Sequence, residues 1–79
     1  MTITVSQDDI DEGKRRQVGF CPIALALKRT GYYEDVAVSD AYIFTEYWAI
    51  LQTWKLRLWR LNFDKGRRVG EISFEVPDP

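Results

Sequence analysis

The stretch Phe20-Cys21-Pro22-Ile23 carries the one thiol of this chain, set directly before a proline and an apolar run. Proline suits the first position of a helix, so Cys21 falls at a helix N-terminal edge, where the dipole lowers the pKa of an exposed thiol. A cysteine enzyme also needs a base to take the proton, and the sequence contains no histidine. The commonest general base near neutral pH is thereby missing, together with the commonest transition-metal ligand. Ser-His-Asp and Cys-His hydrolases are excluded, and one cysteine excludes zinc sites built from several. Free cysteine is among the most buried residue types, and Phe20 precedes this one. Cys21 therefore reads as a small packed hydrophobe, and no catalytic residue is assigned. A lone cysteine forms no internal disulfide, as expected of a protein made for a reducing interior.

Three other groups could do chemistry. The acids Asp8, Asp9, Asp11 and Glu12 offer a pair, Asp8 and Asp11, that could in principle hold a metal. They follow Ser6 in a capping-box pattern with Asp9 three residues on, and they lack the glycine and ligand spacing of a calcium loop. A solvated helix cap is the preferred reading, with no metal and no cofactor expected. Lys14-Arg15-Arg16 and Lys65, Arg67 and Arg68 form two basic clusters. Neutralisation of the first by the neighbouring acids is the plain reading, and contact with an anion or nucleic acid is the sharper one. The third group is aromatic and basic together: Trp48, Trp54, Trp59, Lys55, Arg57 and Arg60. These types are enriched in interface hot spots and also stack on single-stranded bases. Burial of all three tryptophans in the core competes with both.

The elements that must position these groups follow from periodicity. Thr2–Val5 is β-branched and reads as a strand. A short helix starts after Ser6 and stops at Gly13. Pro22 to Arg29 reads as a helix buried on most sides, with Lys28 and Arg29 favourable in its last turn and Gly31 as its stop. Val36 and Val38 alternate, Tyr42–Thr45 favours strand, and Ser39-Asp40 supplies turn chemistry, which together predict a hairpin. From Tyr47 to Phe63, the spacing of Tyr47, Leu51, Trp54, Leu58 and Leu61 predicts one amphipathic helix. Trp54 to Leu58 also alternates, so a strand in the second half is the alternative. Trp48, Leu56, Trp59 and Phe63 cannot all join the core-facing stripe, which leaves large apolar surface exposed or covered by a partner. Glu71–Val76 alternates cleanly, with Ile72, Phe74 and Val76 facing in. The fold class is α+β: residues 1–79 as one small domain. A single sheet of N-terminal strand, central hairpin and C-terminal strand carries two to three helices on one face.

A 79-residue chain buries only roughly 60% of its unfolded surface, so large aromatic side chains matter to its stability. Eleven Lys and Arg stand against twelve Asp and Glu, a net charge of −1. That argues against nucleic-acid binding by bulk charge while leaving room for a local patch. "MTITVSQDD" lacks the basic and apolar regions of a signal peptide, and no apolar run is long enough to span a bilayer. The expectation is a soluble, cytoplasmic protein.

Three phrases, "ITVSQDDIDEG" (3–13), "CPIALAL" (21–27) and "FDKGRRVGEISFEV" (63–76), resemble a family of short proteins from bacteriophages and prophages. The resemblance covers both ends of the chain and leaves 32–62 without correspondence. The family's proline in the turn before the last strand is Arg68 here, charge in place of rigidity. The resemblance implies a phage-type origin and brings no catalytic residues.

The leading functional expectation is thus a non-enzymatic, phage-type accessory protein that binds a host protein, for example to inhibit a bacterial defence system such as CRISPR. In that reading Trp or Arg residues between Tyr47 and Arg60 are the anchors, and self-association would cover the same surface. The alternatives are a nucleic-acid binder using Lys14, Arg15, Arg16, Arg57, Arg60, Arg67 and Arg68, or a sponge for an anionic nucleotide signal using the basic loops.

Overall fold

The computed structural model describes residues 1–78. In chain order its elements are β1 (Thr2–Val5), α1 (Gln7–Glu12), α2 (Pro22–Arg29), β2 (Val36–Val38), β3 (Tyr42–Thr45), β4 (Ala49–Leu51), α3 (Trp54–Asp64) and β5 (Ile72–Glu75). The class is α+β, with the strands divided between two sheets. β1 and β5 pair antiparallel, Ile3 opposite Phe74 and Val5 opposite Ile72. β2, β3 and β4 form an antiparallel meander in that order. The strands expected to share one sheet therefore pack as two around a common core.

Period-two alternation sets what each sheet buries. Ile3, Val5, Phe74 and Val76 turn inward from the first, and Val36, Val38 and Ile43 from the second. α2 lies between them with Ile23, Ala24, Ala26 and Leu27 buried, and Pro22 at its first turn as expected. Thr30 follows it, and Gly31 takes a positive φ of 84°. A left-handed residue there costs glycine nothing.

The hairpin forms where the sequence places it, with Val38 opposite Ile43 and Ser39 N donating to Tyr42 O across the turn. The single helix expected from Tyr47 to Phe63 does not form. Its first third is strand: Thr45 Oγ1 accepts from the backbone N–H of both Tyr47 and Trp48, and that tight turn returns the chain as β4 beside β3. Gln52, almost fully buried, then donates Nε2 to Ser39 O and Tyr42 O and ties the end of β4 to the hairpin. Thr53 starts α3 by accepting from Leu56 N, so the helix begins seven residues later than expected. The alternating stretch 54–58, read as a possible strand, is helical: inward Leu56 is flanked by outward Trp54 and Leu58 on a helix with two apolar faces.

The capping box of α1 is complete. Ser6 Oγ accepts from Asp9 N, and the Asp9 carboxylate accepts from Ser6 N at 2.9 Å. Asp9 is buried and also takes the Arg29 guanidinium at 2.8 Å, joining α1 to the end of α2. Burial pushes the Asp9 carboxyl up, but the hydrogen bonds from Arg29 and Ser6 outweigh it and hold its pKa below the ordinary range. A carboxylate with a depressed folded pKa stabilises the fold above its unfolded pKa, about 3.9, and loses that contribution as pH falls through the lower folded value. Asp9→Asn keeps the side-chain shape and removes the charge. Because Arg29 is half exposed and regains water, the expected loss at pH 7 is about 1–2 kcal/mol. Urea denaturation at pH 7 and in strong acid checks this: the gap between wild type and variant is expected to shrink on acidification. A gap that holds constant would show that the ion pair contributes nothing.

Candidate functional site: the outer face of the third helix

α3 carries two apolar stripes. Leu56, Trp59 and Phe63 face the core, where the rings of Trp59 and Phe63 stack with centroids 6.0 Å apart and Trp59 Nε1 donates to Gly70 O at 2.8 Å. Trp54, Leu58 and Leu61 form the second stripe, at i, i+4 and i+7, and it faces solvent: Trp54 is 69% exposed, Leu58 and Leu61 49% each. The spacing that predicts a core-facing helix is thus real from Trp54 onward, but it marks the outer side. The core instead takes the larger rings of Trp59 and Phe63.

Charged groups frame the outer stripe. Arg57 Nε donates to Asp40 O at 3.0 Å, and Arg60 Nη1 donates to Ser39 O at 3.0 Å. Arg60 also pairs with Asp40 at 3.3 Å and Asp64 at 3.7 Å. These bonds fasten the hairpin turn to the helix and create an open depression of about 520 Å³ between Trp54, Leu58, Leu61 and the two arginines. Lys55 Nζ lies 5.9 Å from the Trp54 ring centroid. Beyond Trp54 the apolar surface continues onto the meander, where Leu51 and Trp54 line one groove and Leu51 stands opposite Tyr42 across β3 and β4. Tyr42 and Phe44 follow on the same outer side of the sheet, both nearly half exposed, with ring centroids 5.9 Å apart.

The expected partner-binding residues separate accordingly. Trp54, Lys55 and Arg57 lie on the exposed face. Trp59 is a core residue, 9% exposed. Trp48 packs edge-on against Tyr33 with centroids 5.3 Å apart and leans on the core. Arg60 is a structural cation, its side chain only 11% exposed between two aspartates. Leu58, Leu61, Leu51, Tyr42 and Phe44 were not expected on this face. The signal for the first two was the 54, 58, 61 spacing itself.

The other candidates are resolved by position. Cys21 stands at the N-cap position of α2, buried in the core, and burial raises its thiol pKa. Asp11 accepts Gln7 Nε2, Asp9 is held by Ser6 and Arg29, and Asp8 is exposed on the short α1. Lys14, Arg15, Arg16, Lys65, Arg67 and Arg68 are all exposed. Among the described residues none of them is in an ion pair with a carboxylate of α1 or of any other element. Arg15, Arg67 and Arg68, from opposite ends of the chain, line one groove. No helix among the described residues is long and apolar enough to cross a membrane.

No family model, no curated protein and no solved structure matches this chain.

Proposed function

We propose that this chain is a non-enzymatic, phage-type accessory protein that binds a host protein in the bacterial cytoplasm, with α3 as the element it presents. The observation that supports it is the solvent-facing stripe Trp54, Leu58 and Leu61. Anchors at i, i+4 and i+7 are how an amphipathic helix enters a hydrophobic groove on another protein. The stripe stands on a helix whose other face is locked into the core, so it is presented rigid and at small ordering cost. Lys55 and Arg57 beside it match a groove with an acidic rim, since complementary rim charge speeds encounter and fixes register. The phage-type character rests on the resemblance at both ends of the sequence, and inhibition of a defence system such as CRISPR is the form of action it suggests.

The test is affinity capture from nuclease-treated bacterial lysate, wild type beside a Trp54→Ala/Leu58→Ala variant, with bound proteins identified by mass spectrometry. One stoichiometric protein held by wild type and lost by the folded variant is the expected result. A captured set that is the same for both proteins would overturn the reading. So would self-association of the wild type through this face in sedimentation.

A further inference from the structure

The loop 14–17 enters between α1 and α2, and the loop 65–70 between α3 and β5. Their meeting is held by specific contacts. Arg16 adopts a positive φ of 60°, and its backbone N–H donates to Asp64 Oδ1 at 2.9 Å. That residue type pays for such a backbone only where surrounding contacts fix it. The Arg15 guanidinium lies against Gly66, where an added Cβ would come within 3.3 Å of Arg15 Cζ. Gly66 also has a φ of 80°, a left-handed backbone that favours glycine. Arg67 Nη1 is steadied by Asn62 Oδ1 at 2.9 Å.

The result is an open groove of about 680 Å³, with Arg15, Arg67 and Arg68 on its walls and the side chains of Gln7, Ile10 and Val69 beside them. Two carboxylates near the groove are engaged by backbone donors: Glu71 accepts from Gln7 N, and Asp64 from Arg16 N. Three arginines line this groove, and among the described residues none of them is in an ion pair with Glu71, Asp64 or any other carboxylate. Guanidinium is a planar fork that takes phosphate oxygens in pairs and stays charged at every physiological pH. Half-buried Ile10 and Val69 add apolar contact beside the charge, as a nucleoside would use.

We propose that this groove binds a phosphate-bearing ligand, with Arg15, Arg67 and Arg68 holding the phosphate. The same chemistry is offered by a free nucleotide and by the backbone of a single nucleic-acid strand. The site lies apart from the outer stripe of α3 and does not depend on it.

The experiment is calorimetric titration of the full chain with inorganic pyrophosphate, ATP and a ten-residue oligothymidylate. Wild type is compared with Arg67→Ala/Arg68→Ala, Arg15→Ala and, as a control, Trp54→Ala. At least one probe is expected to bind wild type more tightly than about 1 mM. The arginine variants are expected to lose tenfold or more, and the control nothing. ATP bound one to one identifies the free nucleotide as the source. Oligothymidylate bound with an affinity falling steeply with salt, and a slope reduced by about one per lost arginine, identifies the strand. Failure of all three probes, or binding unchanged in the arginine variants, would overturn the proposal. The capture experiment on α3 is unaffected by either result.

Discussion

Trp59→Ala is expected to destabilise the fold by about 3–5 kcal/mol, and Trp54→Ala to change it by no more than about 0.5 kcal/mol. The two residues lie five positions apart on one helix and differ in where their rings go. Trp59 stacks on Phe63, donates its indole N–H to Gly70 O and is 9% exposed. Removing it leaves a cavity beneath the turn before β5 and an unpaired carbonyl. Trp54 is 69% exposed, with Lys55 Nζ 5.9 Å from its ring centroid. A chain of 79 residues has about 4–12 kcal/mol of total stability, so the first change removes much of it and the second almost none. Urea denaturation followed by circular dichroism separates the cases. If Trp54→Ala proved the damaging change, the outer stripe would be core and the proposed binding face would not exist.

Gly13→Ala is expected to cost about 1–3 kcal/mol although its backbone is ordinary. Gly13 ends α1 with φ −65° and ψ 148°, a conformation open to any residue. The constraint is space. An added Cβ would stand 2.5 Å from Pro22 Cγ, 2.6 Å from Pro22 Cδ and 2.8 Å from Asp9 O. Pro22 is fully buried with a rigid ring, and Asp9 O is backbone, so α1 and α2 have to move apart. That movement strains the link between Asp9 and Arg29 as well. Gly70→Ala is the matched control, because nothing lies within 4 Å of its added Cβ, and it is expected to be nearly neutral. Thermal unfolding of the two variants checks the pair. Equal melting temperatures would show that the helices part freely.

Local signals carried the elements whose determinants are local. The Ser6 capping box, Pro22 at the start of α2, the Val36 and Val38 alternation and the alternation of β5 each name their structure within a few residues. β4 is missed because Ala49-Ile50-Leu51 is three residues long and falls inside a helical spacing begun by Tyr47. Its true marker is Thr45, whose hydroxyl closes the turn, and one hydroxyl is a weak signal in sequence. Pairing of strands from opposite ends of the chain leaves no local trace, so the division into two sheets is not legible either. The same limit governs the site. Trp54, Leu58 and Leu61 announce a helical stripe, but periodicity says only that a stripe exists. Which of two apolar stripes is buried depends on Phe74, Val76 and the other partners that only the fold supplies. The convergence of Arg15 with Arg67 and Arg68 is likewise a property of the fold, because each cluster alone reads as a solvated loop.

The most direct measurement of the central claim is the affinity of the protein captured by wild type, titrated in a calorimeter against wild type and Trp54→Ala/Leu58→Ala. Truncating hot-spot anchors is expected to cost at least about 2 kcal/mol, roughly a thirtyfold weaker Kd, with the melting temperature of the variant unchanged. Equal affinity of the captured protein for both chains would contradict the account.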